Sequence, residues 1–204
     1  MIEFAKDYLY AFDTDTIDNE LLYHRCVAIE SILNKKFPDA DPDWYGNATS
    51  ANHRNYNLFS FVDSELIKLY QFMVKSISPL LGDEAYVLKS WMNVYRAGQK
   101  VDWHVHWPAE VRVWHGFYCV RVGESATHYK IPGIKDIVVV PSKEGRLVVG
   151  KSEDDQHKST PWDNPDSFRI TLAFDIIPVK SLLNRTVYND LPINHYIPFK
   201  AQQV

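Results

Sequence analysis

The sequence predicts a mainly β protein, a jelly roll with two helices packed on its outer face. Three observations carry that expectation. Helical periodicity is confined to the first 82 residues; short apolar runs separated by turn residues fill the stretch after Gly82; and 11 prolines with 14% aromatic residues suit a turn-rich β protein better than a helical bundle. From Asp18 to Phe37, apolar side chains at Leu21, Leu22, Val27, Ile29, Ile32 and Leu33 follow an Asp18 cap, which predicts a helix ending before Pro38. The polar, punctuated stretch Pro38–Asn57 predicts a long loop over a site mouth. A second helix is expected from Ser64, its cap, to about Ile77, with Leu66, Ile67, Leu69, Tyr70, Met73, Val74 and Ile77 as its apolar stripe. Strands are predicted at Tyr86–Tyr95, Val111–Val122, Ala126–Ile131, Ile137–Val140, Arg146–Val149 and Phe168–Ile177. The final L-P-I-N-H-Y-I-P-F-K reads as an extended tail over the outside.

These elements make one domain over residues 1–204: a helical N-terminal part with its long loop at 1–82, the β core at 83–178 and a C-terminal extension at 179–204. A net charge of −4 argues against a nucleic-acid partner held by phosphate neutralisation. Two cysteines, Cys26 and Cys119, are too few for a disulfide scaffold and suit a reducing compartment. No run approaches the length of a membrane span, and the N-terminus lacks a secretory pattern, so a cytoplasmic location without membrane association is expected.

The informative segment is N93-V-Y-R-A-G98-Q-K-V-D-W-H104-V-H106, taken as strand-like. Side chains two apart on a strand share a face, so His104 and His106 can reach one metal ion. A third ligand is available at His157, 51 residues after His106, and Arg169 follows 12 residues later in R169-I-T171. Arg169 and Thr171 share a face, pairing a guanidinium with a hydroxyl suited to a carboxylate. That order resembles a non-haem iron site with an anionic cosubstrate. His115 is ambiguous between pocket and packing. His24, His53, His128 and His195 read as hydrogen-bonded core residues, and Trp91, Trp103, Trp107 and Trp114 as core or pocket wall. Asp154 and Asp155 read as a solvated turn that could orient His157.

The N-x-Y-x-x-G-x5-H-x-H run, the distal histidine and the R-x-T strand together resemble the 2-oxoglutarate- and Fe(II)-dependent dioxygenase superfamily. More narrowly, S90-W-M-N-V-Y-R-A-G, H104-V-H106 and H115-G-F-Y118 are similar to the 2-oxoglutarate/Fe(II) oxygenases of phages and marine bacteria. The resemblance spans about residues 86–177. It implies a double-stranded β-helix, with His104 and His157 as iron ligands and His106 where most members carry aspartate. It also implies Fe(II), 2-oxoglutarate and O2 as cofactor and cosubstrates, with the distal carboxylate on Arg169 and Thr171. Asn93 and Tyr95 stand where DNA-repair members contact the cosubstrate, and Tyr129 is a further candidate for the carboxylate. A second arginine of those DNA-repair enzymes is missing, so nucleic-acid demethylation does not follow. The implied activity is hydroxylation of a small-molecule or polypeptide substrate. Three alternatives stay open: a three-histidine cupin dioxygenase without 2-oxoglutarate, a non-catalytic jelly-roll binding protein, and a zinc hydrolase, the last giving Arg169 no role. Oligomeric state is not legible.

Overall fold

The computed structural model describes residues 1–38, 53–183 and 195–200, so most of the Pro38–Asn57 loop and part of the C-terminal tail lie outside the described residues. The architecture is a double-stranded β-helix of two antiparallel sheets with helices outside. The larger sheet has seven strands, β1 (Ile2–Ala5), β2 (Leu9–Asp13), β3 (Tyr86–Tyr95), β4 (Trp114–Arg121), β7 (Arg146–Lys151), β9 (Arg169–Pro178) and β10 (Ile197–Lys200), in the order β1-β2-β7-β4-β9-β3-β10. The smaller sheet orders β6 (Val138–Pro141), β5 (Ala126–Lys130) and β8 (Gln156–Ser159).

Alternation makes the large sheet two-faced. Ile170, Leu172, Phe174 and Ile176 of β9 join Leu88, Met92 and Val94 of β3 in the apolar core. Leu22, Cys26, Ile29 and Leu33 of α1 (Asn19–Lys36) and Leu66, Leu69, Met73 and Ile77 of α2 (Ser64–Ile77) cover that face. The other side of β9 carries Arg169, Thr171, Ala173 and Asp175, which stand opposite Tyr95, Asn93, Trp91 and Lys89 of β3. Facing the small sheet, Leu9, Ala11 and Val148 pack with Tyr129, Ile131 and Val140. The interior is therefore apolar at one end and polar at the other.

Asp18 caps α1 as expected, its Oδ1 accepting from Leu21 N at 3.0 Å. The cap of α2 is Asp63 rather than Ser64, because the Asp63 carboxylate accepts from both Glu65 N and Leu66 N and Ser64 is already the first helical residue. Ile32 and Ile67, assigned above to apolar stripes, face solvent. The predicted strand from Val111 begins only at Trp114, since Ala109–Val111 forms a tight turn closed by Arg112 in the left-handed region. Four strands escape the sequence reading: β1, β2, β8 and β10. The tail expected to lie over the outside instead pairs with β3 through Ile197, Pro198 and Lys200. His24 is exposed, and His53, His128 and His195 are half-buried, so none of these four is a core residue.

Gly116 on β4 is required by close approach. A Cβ there would stand 2.0 Å from the Val148 carbonyl oxygen and 2.8 Å from the Phe174 ring. Gly116→Ala is therefore expected to destabilise the protein by about 1–3 kcal/mol or more in urea denaturation.

The end of β2 is tied to β7 by charge. Asp13 receives Arg146 Nε at 2.8 Å, Arg146 Nη2 at 3.1 Å and Lys143 Nζ at 2.8 Å. The Arg146 hydrogen bonds, joined by Lys143, overcome partial burial and bring the Asp13 carboxyl down to about 2. Its folded pKa lies below the unfolded value of roughly 4, so the stabilisation is full above that value and is lost as pH falls through about 2. Asp13→Asn is expected to cost about 1–2 kcal/mol at pH 7. In denaturant titrations the difference from wild type should shrink steadily below pH 4.

Candidate metal centre

The strand leading into the histidines ends at Tyr95, and residues 96–113 contain no strand, contrary to the strand-like reading of this segment. A turn at Gly98, whose N–H donates to the Trp162 carbonyl, redirects the chain along β8. His104 then pairs with His157 as an isolated antiparallel bridge, N–H to carbonyl at 3.1 Å in both directions. Ser159 Oγ accepts from Val101 N at 2.9 Å and seats the start of this lane. His104 and His106 converge because each is pinned separately. His104 is held by the backbone of His157, and His106 by a carboxylate of β9.

The rings of His104, His106 and His157 stand 4.1 to 5.3 Å apart by centroid, and one potential ligand atom from each lies within 4.8 Å of the others. Their protonation follows from their partners. Nδ1 of His104 lies 2.9 Å from the Asp102 carbonyl oxygen, which can only accept, so the proton sits on Nδ1 and the lone pair on Nε2. Nδ1 of His106 lies 2.7 Å from Asp175 Oδ1. Burial acts against the Asp175 charge, but His106, Trp107 and His115 outweigh it and hold the carboxyl below its usual range, so Asp175 is an acceptor too. Trp107 Nε1 donates to its other oxygen at 2.8 Å.

His157 has Asp155 beside it. Asp155 Oδ2 is 3.4 Å from His157 Nδ1, and Oδ1 is 3.3 Å from His115 Nε2, yet none of these atoms has an aligned hydrogen-bond partner. The turn residue Asp155 is fully buried rather than solvated, while Asp154 is exposed. His115 faces the pocket, its ring 4.6 Å from His106 and 4.8 Å from His157. Burial pushes His157 well below the ordinary histidine value, reinforced by the neighbouring imidazoles, and brings His104 down to about 4. Burial would also lower His115, but the Asp155 charge wins and raises it.

A divalent cation fits this chemistry. His104 and His157, both held low by burial, and His106, whose Nδ1 is taken by Asp175, form an all-imidazole donor set, while the buried atoms without aligned partners, His157 Nδ1, His115 Nε2 and both Asp155 oxygens, lie in the layer behind it. His104, His106 and His157 could hold the ion with open positions, because His104 and His106 are only half-buried. A second set, His115, Asp155 and His157, is buried throughout and suits orientation of the first set better.

Along the same face of β8, two residues beyond His157, the chain reaches Ser159, a step of about 6–7 Å. Here the predicted cosubstrate residues meet. Arg169 is 1% exposed and donates from Nη1 to the Thr160 carbonyl at 3.1 Å, while its Nε has no partner. Its guanidinium lies 5.1 Å from the centroid of the Tyr95 ring. Asn93 Nδ2 reaches Thr171 Oγ1 at 3.5 Å, and Asn93 Oδ1 is unpartnered. Burial raises the Tyr95 hydroxyl against the pull of Arg169, Thr171, Ser159 and Asn93, which keeps it a donor. No carboxylate among the described residues pairs with Arg169. Tyr129, the further candidate for the carboxylate, stacks its ring on His157 at 5.3 Å.

Of the four tryptophans, Trp91 borders the centre, its ring 5.8 Å from His106 and 5.7 Å from His53. Trp107 holds Asp175, Trp114 lies in the core against Tyr10, and Trp103 sits between Lys130 and Lys158. Sequence reading missed Asp175. The signal was present, because Arg169, Thr171, Ala173 and Asp175 alternate onto one face of β9.

Neither a family model nor a curated protein matches the sequence. Solved structures do match. A prolyl hydroxylase from Trichoplax adhaerens, in complex with a hypoxia inducible factor oxygen degradation domain peptide fragment, superposes with TM-score 0.60 at 14% identity, over 89% of this chain and 88% of that one. The fold is that of the 2-oxoglutarate/Fe(II) oxygenases. The non-heme alpha ketoglutarate dependent carbocyclase SnoK from nogalamycin biosynthesis gives 0.59 at 12% identity over 98% and 91% of the two chains. The non-heme monooxygenase ThoJ, as its nickel complex, gives 0.55 at 15% over 84% and 74%. At these identities the likeness is one of fold, and the chemistry rests on the residues.

A buried cation with no anion is a poor stabiliser. Arg169→Met is therefore expected to leave the melting temperature, followed by circular dichroism, unchanged or raised when no ligand is added. A loss of more than about 2 kcal/mol would make Arg169 a structural residue.

Proposed function

We propose that the protein is a non-haem Fe(II)- and 2-oxoglutarate-dependent dioxygenase that hydroxylates a C–H bond of its substrate while 2-oxoglutarate is decarboxylated to succinate. One observation carries the reading: a fully buried arginine with no carboxylate partner among the described residues bonds the residue that follows β8, the strand whose His157 converges with His104 and His106. His104, His106 and His157 would hold Fe(II), which when bound with 2-oxoglutarate supplies the activation of O2. Arg169 would pair with the distal carboxylate of 2-oxoglutarate, with the Thr171 hydroxyl as second donor. Asn93 and Tyr95 would fix the chelating end, since an unpartnered Asn93 oxygen and a protonated Tyr95 hydroxyl stand opposite Thr171 and Arg169.

Tyr129 and Trp91 would exclude water. Tyr129 walls one side of His157, and Trp91 covers His106. The substrate is a small molecule or a polypeptide side chain. The peptide in the Trichoplax adhaerens structure belongs to that enzyme, and it lends weight to the polypeptide class. No helix among the described residues is long and apolar enough to cross a membrane, and the buried free thiols of Cys26 and Cys119 support a cytoplasmic setting.

A second reading, a three-histidine oxygenase independent of 2-oxoglutarate, is favoured by the lack of a carboxylate in the His104, His106, His157 set. Anaerobic Fe(II) titration with and without 2-oxoglutarate separates them. The proposed enzyme should develop the weak charge-transfer absorption of the iron chelate near about 500 nm. Arg169→Ala and His157→Ala should abolish it. Tight iron binding without the band would establish the second reading, and no iron binding would leave a non-catalytic jelly roll.

A further inference from the structure

Replacing a carboxylate ligand by imidazole removes one negative charge from the first ring of donors around a divalent ion. The fold places a carboxylate immediately behind that imidazole. Asp175 lies on β9 directly opposite His115 of β4, is 6% exposed, and has both oxygens committed: Oδ1 to His106 Nδ1 at 2.7 Å and Oδ2 to Trp107 Nε1 at 2.8 Å. Trp107 is itself anchored, its N–H donating to Ser152 Oγ at 3.0 Å while Ser152 donates back to the Trp107 carbonyl. Lys89, the facing residue on β3, feels the Asp175 charge, but its ammonium donates to the Tyr56 carbonyl at 2.6 Å, which leaves the two Asp175 oxygens to His106 and Trp107. So rigid a hydrogen bond fixes one ring rotamer and one tautomer of His106. It also makes the imidazole a stronger, partly anionic donor.

We propose that Asp175 is a positioning residue for the metal, supplying through His106 the negative charge and the orientation that a directly coordinated carboxylate would otherwise give. This rests on the three-histidine metal site proposed above and extends it to the outer ring. Asp175 touches neither substrate nor ion. Its effect is on how tightly, and in what field, the metal is held. The neighbouring H-x-H pattern then has a physical counterpart: where the second position of the motif is histidine, the carboxylate moves one residue shell outward onto the strand that also carries Arg169 and Thr171.

The test is anaerobic Fe(II) titration calorimetry on metal-stripped wild type, Asp175→Asn and Trp107→Phe, with Co(II) visible spectra of each. Asp175→Asn keeps the shape and removes the charge. It should weaken Fe(II) binding about 10- to 100-fold and shift the Co(II) ligand-field bands, while circular dichroism stays that of wild type. Trp107→Phe frees one oxygen of Asp175 but keeps its bond to His106, so affinity should change by less than about threefold. Asp175→Asn binding within threefold of wild type, with unchanged Co(II) bands, overturns the proposal while leaving the iron site standing. A tenfold loss in Trp107→Phe without a band shift also overturns it, since packing alone would then explain the effect. Wild type that binds no Fe(II) fails the underlying reading itself. Should Asp175→Asn not fold, Asp175→Ser, which also removes the carboxylate, is held to the same two criteria of Fe(II) affinity and Co(II) bands.

Discussion

The cost of burying charge governs this structure. One end of the space between the two sheets holds imidazoles of His104, His106, His115 and His157, the carboxylates of Asp155 and Asp175, and the guanidinium of Arg169. Several of these groups would each destabilise a protein interior if left alone. Some compensate one another: His106 with Asp175, and His115 with Asp155. Others do not. The remainder, three lone-pair nitrogens and an arginine without an anion, is what a divalent cation and a dicarboxylate would complete.

The rest of the fold makes this interior affordable. The helix-covered face of the large sheet is mainly apolar, with Ser90 a buried exception, and holds α1 and α2, while Leu9, Ala11, Val148, Ile131 and Val140 pack in the inner space with Tyr129, whose ring reaches His157. Beside the site, the non-glycine residue Asp154, next to Asp155, takes a positive φ. The turn at Gly98 carries the positive φ needed to swing the chain from β3 to the lane beside β8, so the histidines themselves sit in ordinary backbone. Because His104 is fixed by backbone hydrogen bonds and His106 by a side chain from another strand, the site is set by tertiary structure rather than by a local motif.

That distinction explains what the sequence revealed. Both helices and the strands β3, β5 and β9 were legible because their apolar spacing is strong and their ends are marked by Asp, Gly and Pro. Two groups that the sequence singled out are each drawn together: the rings of His104, His106 and His157 converge, and Arg169, Tyr95, Asn93 and Thr171 cluster, while their roles belong to the proposal. The geometry was not legible. His104 and His106 were expected to share a strand face, yet the chain there is a loop held by a single bridge. β1, β2 and β10 are short pieces whose pairing partners lie far away in sequence, and β8 reads as a polar turn because its inward residues are His157 and Ser159. Asp155 was read as part of a solvated turn that could orient His157, and Asp175 was given no role, because an aspartate reads as solvated until the fold buries it.

In the proposed enzyme one metal ion and one dicarboxylate would share this interior. An oxygen-free crystal structure with Mn(II) and 2-oxoglutarate tests it most directly. A single ion is expected at coordination distance from His104, His106 and His157, with the far carboxylate of 2-oxoglutarate on Arg169 and the His106 to Asp175 hydrogen bond retained. An ion held by His115, Asp155 and His157, or an Arg169 that stays without an anion at saturating 2-oxoglutarate, would contradict it.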